Sequence, residues 1–369
     1  MIIGVPREIK DHEFRVGLTP TGVRALVTAG HEVRVEARAG AAIGYGDERY
    51  SAAGAQVVAT AADAFACPMV IKVKEPQSAE IGMLQEGQIL FTYLHLAANA
   101  ELTRQLVERK IIGIAYETVT DTQGRLPLLT PMSEVAGRVA IQAGATSLQM
   151  NHGGSGVLLG GVPGVMPGKV VILGAGSVGT EAAKMALGLG ADVTIMDINL
   201  NRLRYLDDVF GGRLKTCFSQ TGAIEKMVAD ADLVVGSVLI PGKRAPRLIS
   251  RDMVSSMRPG SVLVDVCIDQ GGCAETSHPT THSHPTYIEE NVVHYCVTNM
   301  PAACARTSTQ ALTHATLPYA LKIASLGYRE ALRQDAGLLD GLNLHLGQVT
   351  HPSVAADLGY GHMPALEVI

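Results

Sequence analysis

The feature that most constrains this chain is the sequence GAGSVG at residues 174–179, which follows directly on an apolar run. That run, residues 170–173, predicts a strand, and the helix-forming residues after the glycines predict a helix. A second apolar run, residues 193–196, ends in Asp197. Strand, tight turn, helix and strand, with an acidic residue after the second strand, predict a dinucleotide-binding βαβ unit.

Each glycine of this glycine turn (residues 174–179) has its own physical use. Gly174 lets the backbone turn, Gly176 lets it approach a pyrophosphate, and Gly179 lets the helix lie close to the strand. The alternative is a turn without a ligand, and the strands on both sides favour the dinucleotide. Asp197 can accept hydrogen bonds from two ribose hydroxyls but repels a 2′-phosphate, so NAD is favoured over NADP.

Composition narrows the class of protein. The chain has 369 residues, 47% of them hydrophobic, and a net charge of -5, which gives no basic surface for nucleic acid or an anionic membrane. The cysteines form no CxxC pair and suit reduced thiols in a cytosol. The sequence contains no apolar run of membrane-spanning length and no signal-peptide pattern. We expect a cytoplasmic protein of about two or three domains.

Residues 1–128 alternate short apolar runs with helical stretches, which predicts a second α/β unit without a glycine fingerprint. Polar residues close its predicted strands: Lys74 follows one of them, and His95 and Glu117 follow two others. Because the carboxyl ends of parallel strands meet at one edge, we expect these side chains to converge on one crevice, which Arg15 can reach from its loop. The open alternatives are a solvated lysine, a core histidine and a surface arginine.

Two long helical segments divide the chain. Thr130 and Pro131 supply an N-cap and a first-turn signal, and residues 307–325 are helical in pattern, with a kink expected at Pro318. The predicted fold is two doubly wound α/β domains joined by two long helices, the second a Rossmann domain inserted into the first. The predicted domains are a discontinuous substrate or catalytic domain, residues 1–128 and 307–369, and an NAD-binding domain, residues 129–306.

The later part of the nucleotide domain offers further polar residues. Asp269 stands just beyond a predicted buried strand at residues 261–266, where it is either a site residue or an Asx-turn residue. The histidine-rich segment, residues 278–294, has no pair of ligands at a useful spacing, and its prolines interrupt the chain. We therefore expect no metal site.

With these residues in view, the chain resembles the alanine dehydrogenase family over essentially its full length. The segments that carry the resemblance are GVPREIKDHEFRVGLTP, VKVKEP, FTYLHLAA, IAYETV, PLLTPMSEVAGR, GGVPGV, the glycine turn, VDVCIDQGGC, HPTYIEENVVHYCVTNMPA and ALTHATLPY. The resemblance implies a reversible, NAD-linked oxidative deamination of L-alanine to pyruvate and ammonium. It also implies a fold shared with the NAD-binding part of proton-translocating transhydrogenases.

The resemblance further implies roles for individual residues. Arg15 and Lys74 are expected to hold the substrate carboxylate, His95 to act as the acid/base, and Asp269 to assist it. The family is typically hexameric, so a homo-oligomer is expected. The residues expected around the cofactor are Met132, Ser133, Gly174, Gly176, Ser177, Val178, Gly179, Asp197, Arg202, Ser219, Val238, Leu239, Val266, Asp269, Asn299 and Met300.

The residue types suit this chemistry independently. An α-amino acid presents a carboxylate that two cations can hold, and histidine can give and take a proton near neutral pH. Two other classes stay open. A transhydrogenase-like NAD-binding subunit is disfavoured by the lack of a membrane segment and by the set Lys74, His95 and Asp269. A non-catalytic NAD-binding protein of the same fold would bind NAD without turnover.

Overall fold

The computed structural model describes residues 1–238 and 245–369, which fall into two compact units. The first unit is discontinuous and consists of Met1–Met132 and Cys304–Ile369, and the second unit is Ser133–Ala303. The sequence-based boundaries, after residues 128 and 306, stand a few residues from these divisions. The predicted α/β fold class is confirmed, since each unit contains a mostly parallel sheet with helices between its strands.

The N-terminal part of the first unit alternates strands and helices. Its strands are β1 (Ile2–Val5), β2 (Glu32–Glu36), β3 (Gln56–Val58), β4 (Met69–Ile71), β5 (Ile89–Thr92) and β6 (Ile112–Ala115). Its helices are α1 (Pro20–Thr28), α2 (Asp47–Ala52), α3 (Ala61–Phe65), α4 (Ser78–Ile81) and α5 (Ala100–Glu108). Thr19 caps α1, because its hydroxyl accepts the Gly22 N–H at 3.2 Å, and Pro20 takes the first helical position.

The long helix α6 (Thr130–Ser147) begins at the end of the first unit and leads into the second. The elements that follow it are β7 (Lys169–Leu173), α7 (Ser177–Gly188), β8 (Asp192–Asp197), α8 (Leu200–Phe210), β9 (Lys215–Phe218), α9 (Thr221–Ala229), β10 (Leu233–Gly236), α10 (Arg251–Ser255), β11 (Val262–Asp265), β12 (Thr286–Glu289) and β13 (Val292–Tyr295). β7, α7 and β8 form the predicted βαβ unit, and β11 lies within the strand predicted at residues 261–266.

The C-terminal part returns to the first unit. Its elements are α11 (Ala305–Leu326), α12 (Tyr328–Arg333), α13 (Ala336–Asp340), β14 (Leu342–His345), β15 (Gln348–Val349), α14 (Pro352–Leu358) and α15 (Ala365–Val368). Pro318 lies inside α11 without ending it. No helix within the described ranges is long and apolar enough to cross a membrane.

The order of the strands fixes where a ligand can bind. The described strands of the first unit lie in the order β15-β14-β6-β5-β4-β1-β2-β3, parallel from β6 to β3, with β14 antiparallel to both β6 and β15. The second unit has the order β12-β13-β11-β10-β7-β8-β9, parallel except for β12. The order reverses between β1 and β4 in one sheet and between β7 and β10 in the other. In doubly wound sheets, ligands bind at the carboxyl ends of the strands beside such a reversal.

Burial of branched apolar side chains holds both sheets in place. Val70 and Leu90 belong to the core of the first unit, and Leu173 and Val234 belong to that of the second. The central strands are buried on both faces, which is typical of parallel sheets covered by helices.

His294 lies in β13 with a fully buried ring. Its Nδ1 lies 2.9 Å from the Val292 carbonyl oxygen, which can only accept, so Nδ1 carries the proton of the neutral ring. Nε2 then accepts from the Thr276 hydroxyl at 2.8 Å. Burial lowers the pKa of His294, so the neutral ring is the form that the fold holds.

The other histidines of residues 278–294 do not gather around this ring as metal ligands. Across residues 1–238 and 245–369, the side chains close enough together to share an ion are Asp265, Cys267 and Cys273, and no histidine is among them. Tyr287 separates His278 from His294, with ring centroids 3.6 and 4.9 Å away.

We expect His294 to make the fold sensitive to mild acid. Below pH 6.5, the ordinary pKa of histidine, the unfolded chain gains a proton that the buried ring resists, so the free energy of unfolding falls as the pH drops. Urea unfolding at about pH 7.5 and about pH 5.5 measures this change. His294→Gln should reduce the pH dependence, whereas His284→Gln, at an exposed position, should not. Equal pH dependence in the His294→Gln variant and the unmodified protein would contradict this role.

Candidate active site

Tyr93 lies at the centre of a group of polar residues beyond the carboxyl ends of β4 and β5. The His95 ring stacks on it with centroids 5.7 Å apart and planes 7° apart. Lys74 Nζ lies 6.0 Å from the centroid of the Tyr93 ring. The Tyr93 hydroxyl donates to the Leu128 carbonyl oxygen at 2.5 Å, which fixes the ring. The structure therefore places both Lys74 and His95 beside the ring of Tyr93, a residue that sequence reasoning did not select.

Arg15 is buried, with 1% of its surface exposed, so the interpretation as a surface arginine is wrong. Its Nε and Nη2 donate to the Glu13 carboxylate at 2.7 and 2.5 Å, and its Nη1 lies 3.1 Å from Met132 Sδ. Burial alone would lower the pKa of Arg15, but the paired Glu13 carboxylate outweighs it and the pKa is raised. Burial also raises the pKa of the nearby Tyr93, and the positive charge of Arg15 opposes that rise. Arg15 is thus a permanently charged group held in one orientation.

His95 is held by its backbone as well as by its ring. Its φ of 49° is in the left-handed region, and its N–H donates to Glu117 Oε1 at 2.6 Å. The Leu94 N–H also donates to this carboxylate, and His95 Nδ1 lies 3.9 Å from Glu117 Oε1. The side chain is 43% exposed, so the interpretation as a core histidine is wrong.

The carboxylate beside His95 within the first unit is therefore Glu117. Sequence reasoning placed Glu117 at a strand end but assigned the assisting role to Asp269, which lies in the second unit. Glu117 follows β6, and β6 lies next to β5, which leads to His95. This neighbouring position is the sequence signal that could have identified Glu117 as the carboxylate beside His95.

Two further acidic residues of the first unit escaped sequence reasoning. Glu13 pairs with Arg15, and Glu8 accepts the backbone N–H groups of Val73 and Lys74 at 2.6 and 3.2 Å. The signal for Glu8 is its position just beyond β1, at the strand reversal beside β4.

The glycine turn of the second unit has the geometry that its sequence predicts. Gly174 has a φ of 101°, and a Cβ on Gly179 would lie 1.9 Å from the Gly174 carbonyl oxygen. Gly176 precedes α7 and has no atom within 4 Å of its Cβ position. The turn packs closely against the sheet at Gly179 and leaves open space beside Gly176. A pyrophosphate bound at a helix N-terminus needs open space of this kind. Ser177 and Val178 form the first turn of this helix.

Asp197 and Arg202 lie beside the glycine turn. The Asp197 carboxylate accepts the N–H groups of Ala175 and Asn199, both at 2.7 Å. Arg202 Nε donates to the Ala175 carbonyl oxygen and Nη2 donates to the Thr180 hydroxyl, again at 2.7 Å. Ser219 adjoins the same edge, since its N–H donates to the Asp197 carbonyl oxygen at 3.0 Å.

The remaining candidate cofactor residues lie elsewhere along the chain. The Val238 N–H donates to Cys267 Sγ at 3.0 Å, and Val266 opens the short 3₁₀ helix Val266–Gln270, on which Asp269 is exposed. Asn299 has a φ of 64° and Met300 is buried. Met132 ends the first unit and Ser133 begins the second, while Leu239 lies outside the described residues.

The reversed strand orders and the glycine turn define the class: this is a two-unit α/β protein of the Rossmann type. Family models confirm the resemblance found in the sequence. The model "Alanine dehydrogenase/PNT, N-terminal domain" matches residues 4–136, and the corresponding C-terminal model matches residues 140–352. The chain belongs to the alanine dehydrogenase/PNT family.

Individual relatives match over nearly their whole lengths. The chain is 54% identical to the alanine dehydrogenase of Halomonas elongata, covering 100% of both chains. It is 56% identical to that of Methanococcus maripaludis, covering 99% of this chain and 98% of the relative. A solved L-alanine dehydrogenase structure matches with a TM-score of 0.95 and 56% identity over 97% of this chain and 99% of that one. A transhydrogenase from Sinorhizobium meliloti, 24% identical with a TM-score of 0.80, covers 96% of this chain and 100% of that one and shares the fold.

We expect substitutions at two of the three glycines of the turn to have different effects, one on stability and the other on NADH binding. Gly179→Ala places a methyl group 1.9 Å from a backbone oxygen and should lower the free energy of unfolding by about 1–3 kcal/mol. Gly176→Ala meets no atom within 4 Å and should leave the melting temperature unchanged, yet weaken NADH binding because its methyl group occupies the open space. Thermal unfolding and NADH fluorescence titration measure the two effects. Unchanged NADH affinity in Gly176→Ala would show that the turn binds no pyrophosphate.

Proposed function

We propose that this chain is an NAD-dependent alanine dehydrogenase, which catalyses the reversible oxidative deamination of L-alanine to pyruvate and ammonium. The observation that carries the proposal is the grouping of Lys74, His95 and the buried Arg15 around Tyr93 at the strand ends of the first unit. It stands beside 54% and 56% identity to alanine dehydrogenases along nearly the entire chain. An amino-acid dehydrogenase of this kind needs a carboxylate clamp, a proton carrier and a dinucleotide site, and the chain has a candidate for each.

Arg15 and Lys74 form the proposed substrate clamp for the carboxylate of alanine or pyruvate. Glu13 occupies Nε and Nη2 of Arg15 and keeps the guanidinium charged and oriented. Nη1 contacts the Met132 thioether, and a substrate carboxylate oxygen is a much stronger acceptor than sulfur. With Lys74 as the second cation, the clamp would fix the direction of the substrate Cα–H bond.

The dinucleotide site is proposed for the second unit. The open space above Gly176 and the α7 N-terminus would take the pyrophosphate, and the Asp197 carboxylate would accept the hydroxyls of the adenosine ribose. Each Asp197 oxygen already accepts one backbone N–H and keeps a lone pair for a hydroxyl. NAD supplies the acceptor for the hydride that leaves the alanine Cα.

His95 is the proposed proton carrier. During oxidation its neutral ring takes a proton from the water that attacks the iminium carbon, and during amination the charged ring returns one. Its 43% exposure leaves the ring accessible to substrate, while Tyr93 sets the ring plane and Glu117 holds the backbone. Asp269 keeps the assisting role that the family resemblance implies.

The finer assignments of assembly and location are part of the same proposal. We take the chain to form a homo-oligomer, a hexamer by family resemblance, in the cytoplasm. All six cysteines are free thiols, which suits a reducing compartment.

The test of the function is alanine-dependent NADH formation by the purified protein, together with the reverse reaction from pyruvate and ammonium. His95→Asn keeps the size of the side chain but cannot carry the proton, so kcat should fall by about 10²- to 10⁴-fold in both directions with NADH affinity unchanged. His314→Asn, at an exposed position of α11, serves as the control. Tight NADH binding without any turnover of alanine by the unmodified protein would instead indicate a non-catalytic NAD-binding protein.

We expect the ratio of kcat/KM for NAD to that for NADP to be large and to depend on Asp197. The carboxylate repels a 2′-phosphate, so Asp197→Ala should lose activity with NAD and narrow the ratio. Because this carboxylate also accepts the Ala175 and Asn199 N–H groups, Asp197→Asn is the variant that best preserves the turn. Similar kcat/KM values for NAD and NADP in the unmodified protein would exclude the assignment of Asp197 as the residue that selects NAD.

A further inference from the structure

Beyond the ends of β1 and β4 the two strands no longer pair, and the Glu8 carboxylate accepts hydrogen bonds from backbone N–H groups there. The register of β1 with β4 ends at Gly4 and Val70. Past that point the N–H groups of Val73 and Lys74 both donate to Glu8 Oε1, at 2.6 and 3.2 Å. One oxygen therefore sets the backbone position immediately before and at Lys74.

The second oxygen of Glu8 belongs to a cluster of buried charged side chains. Glu8 Oε2 accepts from Lys72 Nζ at 3.2 Å, and the same ammonium donates to Glu80 Oε1 at 2.7 Å. Lys72 is completely buried; burial lowers its pKa, but Glu8 and Glu80 outweigh this and raise it, so the ammonium stays charged. Burial raises the pKa of Glu8, and Lys72 opposes that rise. Glu80 is anchored in turn by the Gln77 N–H at 2.7 Å, at the start of α4.

The Lys74 backbone is thus bonded on both sides. Its N–H donates to Glu8, and its carbonyl oxygen accepts from the Thr92 hydroxyl at 3.0 Å, at the end of β5. With the backbone fixed at both groups, the side chain leaves toward Tyr93, where Nζ lies 6.0 Å from the ring centroid. A shift of the backbone at residues 73–74 would displace Nζ relative to Arg15 and His95.

We propose that Glu8 is a positioning residue for substrate binding: through its bonds to the Val73 and Lys74 N–H groups it holds Lys74 where the substrate carboxylate is clamped. This inference rests on the proposed function, in which Lys74 binds that carboxylate. The hydrogen bonds of Glu8 go to the Lys72 ammonium and to the backbone at Val73 and Lys74, so we expect its effect on the reaction to act chiefly through the position of Lys74.

The test compares Glu8 variants with a carboxylate of the same kind elsewhere. In Glu8→Ala the KM for pyruvate should rise about tenfold or more, with the KM for NADH unchanged, because misplacing one binding group is costly. Glu8→Gln keeps an acceptor oxygen but loses its charge, so a smaller rise of about threefold is expected. The control is Asp232→Ala: Asp232 is 6% exposed against 7% for Glu8, and it accepts the Lys169 N–H at 2.8 Å, at the opposite end of β7 from the glycine turn. Asp232→Ala should lower the melting temperature and leave both KM values unchanged.

A double-mutant cycle with Lys74→Met separates positioning from a general structural role. If Glu8 acts through Lys74, adding Glu8→Ala to Lys74→Met should raise the KM for pyruvate no further. Hydrogen exchange of the segment 69–77 should be faster in Glu8→Ala than in the unmodified protein and unchanged in Asp232→Ala. Should Glu8→Ala fail to fold, Glu8→Gln carries the same cycle, and an unchanged KM for pyruvate in Glu8→Gln would overturn the proposal.

The remaining outcomes are distinct. Two outcomes would overturn the role of Glu8 and leave the proposed function standing. The first is that Glu8→Ala and Lys74→Met have additive effects on the KM for pyruvate. The second is that Glu8→Ala folds and has a normal KM for pyruvate while Lys74→Met is impaired. A Lys74→Met enzyme with a normal KM for pyruvate would remove the clamp and, with it, this proposal. Absence of alanine turnover in the unmodified protein would refute the proposed function first.

Discussion

This molecule depends on one interaction: acidic side chains at the ends of parallel strands accept hydrogen bonds from backbone N–H groups. A strand that extends beyond its neighbour leaves backbone N–H groups without hydrogen-bond partners, and burying an unpaired N–H group costs free energy. Here Glu8, Glu117, Asp197 and Asp265 accept such groups, Asp265 alone taking the N–H groups of residues 267, 273 and 274. A carboxylate accepts such hydrogen bonds more strongly than a neutral side-chain oxygen does. The loops that carry the candidate active-site residues are fixed by them.

This arrangement requires charges inside the protein, and each is compensated locally. Arg15 lies against Glu13, and Lys72 lies between Glu8 and Glu80. Removing one partner of a buried pair of this kind typically costs about 3–5 kcal/mol, because the other is left uncompensated. In the proposed clamp, the same pairing would orient the Arg15 guanidinium in advance, so that it would lose little freedom when a carboxylate binds.

The sequence was most informative where local spacing determines structure. The glycine turn, Asp197 and the strand ends carrying Lys74 and His95 follow from apolar periodicity and from the rule that strand ends share an edge. What could not be predicted depends on contacts between distant residues: Glu8 and Lys74 are 66 positions apart, and Arg15 is buried through contacts with a residue 117 positions away. Pro318 lies inside α11 and does not end the helix, and a kink at this position stays a prediction.

The discontinuity of the first unit has a consequence for biosynthesis. In the described structure β6 is covered on one side by β14, whose residues 342–345 are translated long after residues 112–115. While the ribosome synthesises the second unit, the nascent first unit therefore presents β6 as an open strand edge that can pair with other chains. The second unit is continuous and can complete its sheet first. The order of synthesis therefore allows the second unit to complete its sheet before the first, whose β6 edge is covered only after residues 342–345 have left the ribosome.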